Sequence, residues 1–397
     1  MKILSINAGS SSLKFSLFNM DDESVIASGN FERIGIDGSK YTIKYNGEVI
    51  EQEIELNNHT DAVNILLEKL VDLGIIQSLD EISGVGHRIV HGGSKYSETV
   101  EVDDQVITDI EELKEFAPLH NPAHLLGINA FKEALPDVFM TVVFDTAFHQ
   151  SMDEVSYLYP VPYSWYENYQ VRKYGAHGTS HRYIAETYSD MVDKSEYKII
   201  SCHIGNGASI TAIKDGKCVD TSMGFTPLAG VMMGTRSGDI DPSIIPYVME
   251  KEGLNASEVI DELNKKSGLL GLSQISSDMR DIVSKCEEGE EKAILARDKF
   301  VRRVVDYIAE YYVLLDGDVD AIVFTAGIGE NNTPIRRLIC EKLACLGVKI
   351  DLDKNNTRGE NIKISTDESS IDVYVIPTNE ELMIARDTLR LLNEKNR

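Results

Sequence analysis

Two arginines in glycine-rich settings are the first groups able to bind an anion: Arg88 in Gly86-His-Arg-Ile-Val-His-Gly-Gly93, and Arg236 in Gly234-Thr-Arg-Ser-Gly-Asp239-Ile-Asp241-Pro. A guanidinium presents a planar fork of donors matched to carboxylate and phosphate, and flexible backbone lets it come close to a ligand. The same residues also suit structural arginines paired with Asp239 or another acid. Two carboxylates stand at element ends. Asp145 closes the apolar run Phe139 to Phe144, as a functional acid or an ordinary strand-end residue, and Glu380 follows Pro377-Thr378-Asn379, where the helix dipole favours any acid. His87/His91, His120/His124 and His177/His181 have the i,i+4 spacing that ligates zinc on a helix. The first pair lies in a β-prone run, Pro122 interrupts the second, and Gly178-Thr179 replace the Glu a zinc protease needs, so zinc is disfavoured.

Two loops offer backbone and hydroxyl groups to a phosphate. Asn7-Ala-Gly9-Ser10-Ser11-Ser12-Leu-Lys14 lies between the apolar residues Ile3, Leu4, Ile6 and Leu13, Phe15, Leu17, Phe18, which read as two strands of a hairpin. It is either an anion-binding nest with a lysine beside it or a serine-rich turn. His203-Ile-Gly205-Asn206-Gly207-Ala-Ser209 repeats the arrangement between Lys198-Ile-Ile-Ser-Cys and Ile-Thr-Ala-Ile, suggesting a duplicated fold. No G-x-x-x-x-G-K-[ST] occurs, and neither Gly205-Asn-Gly207 nor Gly327-Ile-Gly329 has the third glycine of a dinucleotide fingerprint.

The elements that must position these groups alternate strands and helices. Asn46-Gly47 and Asp215-Gly216 are hairpin turns. Val63, Leu66, Leu67, Leu70 and Val71 share a helix face, Val85 to Val90 reads as a strand, and Asp109 to Phe116 and His124 to Leu135 read as helices. Phe139 to Phe144 is a buried strand, matched in character by Ala321-Ile-Val-Phe-Thr before Gly327. The tyrosine-rich segment from Tyr157 to Tyr174 reads as an irregular connection between two units. Glu290 to Leu315 is a long helix, Val373 to Ile376 a last strand, and Glu380 to Leu392 a last helix.

The chain has 397 residues, enough for two or three domains, and a net charge of −26 with pI near 4.7. That field repels nucleic acid and anionic membranes, so any phosphate must be bound locally by a few placed cations, with a divalent metal. Five cysteines without CxxC pairing suggest a reducing compartment, and neither a membrane-length apolar run nor a signal-peptide core is present, which reads as a cytoplasmic protein.

Taken together, these motifs resemble the acetate kinase family, within the acetate and sugar kinase, Hsp70 and actin superfamily. The resemblance rests on Asn7-Ala-Gly-Ser-Ser-Ser-Leu-Lys14, His-Arg88-Ile-Val-His-Gly-Gly, His120-Asn-Pro, Phe144-Asp145-Thr-Ala-Phe-His, His177-Gly-Thr-Ser-His, His203-Ile-Gly-Asn-Gly-Ala-Ser-Ile, Met233-Gly-Thr-Arg236-Ser-Gly-Asp, Ser277-Asp278-Met-Arg280, Gly327-Ile-Gly-Glu-Asn331 and Asn379-Glu380-Glu. It runs nearly end to end. It implies two RNase H-like α/β domains of duplicated topology around a cleft, 1–149 joined by the helix at 381–397, and a nucleotide-binding domain over 150–380. The implied activity is reversible phosphoryl transfer from ATP to acetate, by direct in-line attack of the carboxylate.

By that resemblance ATP contacts Ser10, Ser12, Lys14, His203, Gly205, Asn206, Gly207, Asp278, Met279, Arg280, Gly327, Ile328, Gly329 and Asn331. Mg²⁺, or Mn²⁺ in its place, is held by Asn7 and, through water, by Glu380. Acetate lies against Arg88 and Arg236; these two, with His177 and His120, stabilise the transferred group, and Asp145 orients Arg88 and acetate. A homodimer is also implied. The acetate methyl would meet Val90, Leu119 and Pro227, with Ala176 where the family usually has Phe. That replacement implies a roomier pocket and makes propionate or a broader set of short-chain acids the alternative substrates. An actin- or Hsp70-like binding machine would leave the two arginines unexplained, and a sugar kinase needs a base for a hydroxyl nucleophile.

Overall fold

The computed structural model describes residues 1–118 and 120–397. The chain divides into two compact units, Met1–Phe148 with Asn379–Arg397, and His149–Thr378, so Asn379 and Glu380 group with the first.

The first unit is built on eight strands: β1 (Lys2–Gly9), β2 (Ser12–Asn19), β3 (Ser24–Glu32), β4 (Lys40–Tyr45), β5 (Glu48–Glu53), β6 (Ile82–Ile89), β7 (Val100–Glu101) and β8 (Phe139–Phe144). Their order in the sheet is β5-β4-β3-β2-β1-β6-β8-β7. β1 is antiparallel to β2 and parallel to β6, which is parallel to β8. The opening hairpin turns at Ser10 and Ser11 and pairs Asn7 with Lys14. Between β4 and β5, Asn46 and Gly47 have φ of 49° and 79°, the left-handed pair that an Asn-Gly hairpin requires.

The second unit carries β9 (Lys198–Ile204), β10 (Ala208–Lys214), β11 (Lys217–Thr221), β12 (Ala321–Thr325), β13 (Ile362–Lys363) and β14 (Asp372–Val375), ordered β11-β10-β9-β12-β14-β13. Six strands of the first sheet match the six of the second, β4 and β5 being extra. β3-β2-β1-β6-β8 and β11-β10-β9-β12-β14 each run antiparallel across the first three strands and parallel across the last three, and β7 and β13 are two-residue antiparallel additions at the same edge. The duplication is as expected, with one correction. β12 is the counterpart of β6, and β8 that of β14. β8 and β12 look alike in sequence because both are buried almost throughout and so select the same apolar composition.

In the first unit the helix His59–Asp72, capped by Asn58, buries Val63, Leu66, Leu67 and Leu70 in a core with Leu4, Leu13 and Phe15, whereas Val71 is turned outward. Asp103 caps a helix that begins at Asp104, five residues before the expected start, and ends at Glu112, with a tighter turn over Leu113–Glu115. The next helix begins at Asn121 with Pro122 in its first turn, where a missing N–H is harmless, so His124 lies inside that helix and His120 immediately precedes it. The C-terminal helix Glu380–Lys395 lies flat on β6. A Cβ at Gly86 would come within 2.5 Å of Ile384 Cγ2 and 2.4 Å of Thr388 Oγ1, so only glycine permits that approach. The tyrosine-rich segment lies inside the second unit rather than between units and is more regular than expected: the helix Glu154–Tyr157 leads into it, it holds the helix Tyr163–Tyr169, and Arg172 stacks 3.6 Å above the Tyr157 ring.

Candidate active site

Within the first unit, three adjacent strands deliver one polar cluster. Asn7 comes from β1, Arg88 from β6 and Asp145 from the end of β8. Arg88 donates from Nε and Nη2 to Asp145 Oδ2 at 3.0 and 2.5 Å, and from Nη1 to Asn7 Oδ1 at 3.3 Å. Asp145 is buried and Arg88 half-buried, so the pair is anchored inside the sheet. Burial works against the Arg88 charge, but Asp145 and Glu380 more than offset it and hold the guanidinium firmly charged. Glu380 opens the C-terminal helix. Loss of hydration pushes its carboxyl up to about 7 against the pull of Arg88, with Asp145 and Glu381 adding to the rise.

Lys14 is exposed on β2 directly across from Asn7, Ser10 is exposed in the turn, and Ser12 is opposite Gly9. His120 is exposed, and Val90 is buried just past β6. Leu119 lies outside the described residues.

In the second unit His177 sits at φ 58° immediately before the helix Gly178–Val192 and stacks on His203 at 4.0 Å and 20°. A Cβ added at Gly207 would lie 3.4 Å from His177 Nε2 and 3.6 Å from Arg236 Nη1, so the glycine loop, the imidazole and the guanidinium share one corner. Arg236 Nη1 donates to Pro227 O at 3.4 Å. Asp239 is engaged elsewhere, by Gly230 N–H, Arg303 and Tyr307, and among the described residues Arg236 has no acidic partner. Burial without compensation lowers its pKa. A half-buried cation left without a counter-ion is costly unless an anion arrives. Ala176 is buried beside His177, and its carbonyl accepts from His149 Nε2 at 2.9 Å.

Beside this corner is a cavity of about 830 Å³ lined by Gly205, Asn206, Asp278, Met279, Arg280, Gly327, Ile328 and Asn331. Gly234 lets Asn206 lie where its own Cβ would be, 1.9 Å from Oδ1. Asp278 caps the helix Met279–Glu287 through the Arg280 N–H at 2.8 Å and pairs with the Arg280 guanidinium at 2.6 Å. Gly207, His203 and Gly329 do not line the cavity. His203 is buried against His177, and Gly329 is packed under the backbone of Phe324.

Two residues that sequence reasoning gave no role brace the cavity-lining loop from behind. Glu330 Oε1 accepts from Ala326 N–H at 2.8 Å and Thr378 N–H at 3.0 Å, anchoring Ala326 in a left-handed conformation, φ 64°, at the end of β12. Arg336 is fully buried and donates to the carbonyls of Gly329, Glu330, Asn355 and Thr357 and to Asn355 Oδ1. Burial lowers its pKa to about 10. The motif Gly327-Ile-Gly-Glu-Asn331 pointed to Glu330, but nothing local marks Arg336. Arg358, Asn332 and Pro334 line the cavity without having been expected there.

A profile of the acetokinase family matches residues 2–386. The chain belongs to the acetokinase family. An acetate kinase of Bacillus cytotoxicus is 55% identical over 394 residues, covering 99% of each chain. Among solved structures, the acetate kinase of Porphyromonas gingivalis superposes with a TM-score of 0.94 at 44% identity, and a propionate kinase from Francisella tularensis with 0.93 at 41%, each covering 98% of this chain and 99% of the other. The mixed α/β architecture with two sheets agrees with these neighbours, as the sequence led us to expect.

Proposed function

We propose that this chain catalyses reversible phosphoryl transfer from ATP to acetate, giving acetyl phosphate and ADP. The structural observation that carries this reading is Arg236, a half-buried guanidinium with no acidic partner among the described residues, beside His177 and the Gly207 loop. Those groups suit a phosphoryl group whose equatorial oxygens gain charge, where positioning and positive charge supply most of the catalysis. The cavity from Gly205 to Asn331 is of a size that accepts a nucleotide, about 300 to 1,000 Å³ being usual for ligand sites. The family match over nearly the whole chain supports the same assignment.

In this reading Arg88, held by Asp145, binds and orients the acetate carboxylate, and Arg236 and His177 act on the transferred group. His120 donates a further hydrogen bond to it. The acetate oxygen is already ionised at neutral pH, so Asp145 serves as an orienting group rather than a base. Val90, Leu119, Pro227 and Ala176 meet the methyl. Ser10, Ser12 and Lys14 approach the phosphates, and His203 supports His177.

Asn7 and Glu380 fit a magnesium site: both offer oxygen donors beside a charged cluster, and Mg²⁺ is commonly held by one or two such groups with waters and substrate phosphates completing its shell. When bound, Mg²⁺ or Mn²⁺ neutralises phosphate charge. We extend the family resemblance to a cytoplasmic homodimer without nucleic-acid or membrane partners. Among the described residues no helix is long and apolar enough to cross a membrane.

The test is trapping. Enzyme, MgATP, acetate and hydroxylamine should yield acetohydroxamate in proportion to ADP. No hydroxamate with any short-chain acid would overturn the assignment.

A further inference from the structure

Behind His177 runs a chain of hydroxyls and imidazoles that nucleotide and acetate binding leave unexplained. His177 Nδ1 is 2.9 Å from Ser209 Oγ, Ser209 Oγ is 2.8 Å from His181 Nε2, and His181 Nδ1 is 2.8 Å from Ser201 Oγ. Secondary structure sets this geometry. His177 and His181 are one helical turn apart, so both rings reach the same part of the sheet. Ser201 and His203 alternate on β9 and share a face, and Ser209 on β10 is directly opposite His203. Ser201, Ser209 and His181 are fully buried, so each hydrogen bond in the chain is shielded from water.

For neutral rings two directions of donation use every hydrogen of the chain; a third, with Ser209 accepting from both rings, leaves its buried hydroxyl hydrogen without an acceptor among these groups. In one, Ser201 donates to His181 Nδ1, His181 Nε2–H donates to Ser209, and Ser209 donates to His177 Nδ1. His177 then carries its hydrogen on Nε2, the atom facing the Gly207 loop. In the other, every donor and acceptor is exchanged, and His177 Nε2 presents a bare lone pair. Burial holds His181 neutral, far below the usual imidazole pKa, so it cannot donate from both nitrogens. An imidazolium at His177 would sit beside Arg236 Nη1 and against the stacked His203 ring, so a donor at Nε2 comes from the tautomer rather than from a second proton.

We propose that Ser209 is a positioning residue that selects the Nε2–H tautomer of His177, with His181 and Ser201 fixing the direction of the chain behind it. The proposal rests on the phosphoryl-transfer reading only for the use made of that N–H. A phosphoryl oxygen needs a donor, and a lone pair at Nε2 would repel it. Ser209 does not touch the substrate; it acts through His177.

The test is ¹⁵N NMR of the full chain with labelled histidine, the His177 signals assigned by their loss in His177→Asn. The expected result is a neutral Nε2–H ring at His177 at pH 7.5. Ser209→Ala should populate the Nδ1–H form and lower kcat roughly 100- to 1,000-fold, the scale of removing one preorganised donor, while leaving the ATP KM within about twofold. Ser209→Thr, which keeps the hydroxyl, should restore both the tautomer and most of the turnover. An Nδ1–H or doubly protonated ring in the unmodified chain overturns the proposal even if no variant folds. An unchanged tautomer in Ser209→Ala overturns it as well, and so does a changed tautomer with full kcat. Failure of the unmodified chain to make any acyl phosphate would instead defeat the activity assignment and leave the tautomer to be judged by NMR.

Discussion

Replacing Asp145 by Asn tests how the first unit organises its arginine. Two N–H groups of Arg88 converge on Asp145 Oδ2, at 3.0 and 2.5 Å, with the carboxylate buried. Asparagine keeps the shape and one acceptor but removes the charge, leaving Glu380 as the remaining acid that Arg88 feels most strongly. A hydrogen bond to a charged group is worth about 1.5–3 kcal/mol, and outright loss of a buried partner costs about 3–5. Because the amide retains one bond, the loss falls near the lower figure, about 2 kcal/mol. For a domain of 150 to 250 residues that is roughly 4–8 °C in melting temperature. If the lost energy also holds Arg88 for the reaction, 2 kcal/mol is about a 30-fold fall in kcat/KM for acetate, with the ATP KM little changed. Calorimetry and steady-state kinetics measure the two effects. A variant within 1 °C of the parent melting temperature and within about twofold in kcat/KM would refute the role given to this pair.

Three further outcomes are expected. Asn7→Ala should lower kcat and raise the Mg²⁺ concentration needed for half-maximal rate more than it raises the ATP dissociation constant; weakened ATP binding with normal turnover would place Asn7 on the nucleotide instead. In a kcat/KM series over acetate, propionate and butyrate, the fall from acetate to propionate should be shallow and should steepen in Ala176→Phe, one methylene being worth about 1–3 kcal/mol. A steep fall that Ala176→Phe leaves unchanged contradicts a roomy pocket. Stability should also fall with acid below neutral pH. Burial lowers His87 and His124 to about 3 each, the Arg88 and His120 charges adding to the effect at His124. The unfolded chain therefore binds more protons below pH 6.5, and stability present above 6.5 is lost as pH falls toward 3. Between pH 7.5 and 5.5 this is about 1.4 kcal/mol per histidine, and His124→Gln should flatten the slope measured by urea unfolding; an unaltered slope would contradict neutral burial.

Much of the fold was legible because turn chemistry and period are local. Asn46-Gly47 and Asp215-Gly216 require left-handed pairs, and both have them. The spacing of Val63, Leu66, Leu67 and Leu70 fixed one buried helix face. What was not legible depends on partners distant in sequence. The match of β12 to β6 depends on which central strand each joins, and composition carries no trace of that. Arg336 looks like an exposed helical arginine until Asn355 and Thr357 close over it. Ala326 has no sequence feature announcing a positive φ, because Glu330, four residues on, imposes it. Among site residues, Arg88 and Asp145 were expected together and are bonded, while for Arg236 the suggested Asp239 partner is occupied by other groups. Ser209 lay inside a quoted motif, but its contact with two histidines emerges only when β10 is laid against the helix Gly178–Val192.

The most direct measurement uses acetate labelled with ¹⁸O in both carboxylate oxygens, MgATP and the enzyme, with the acyl phosphate observed by ³¹P NMR. Attack of the acetate oxygen on the γ-phosphorus predicts acetyl phosphate with a single ¹⁸O bonded to phosphorus. Acetyl phosphate without that label, or none at all, would contradict the account.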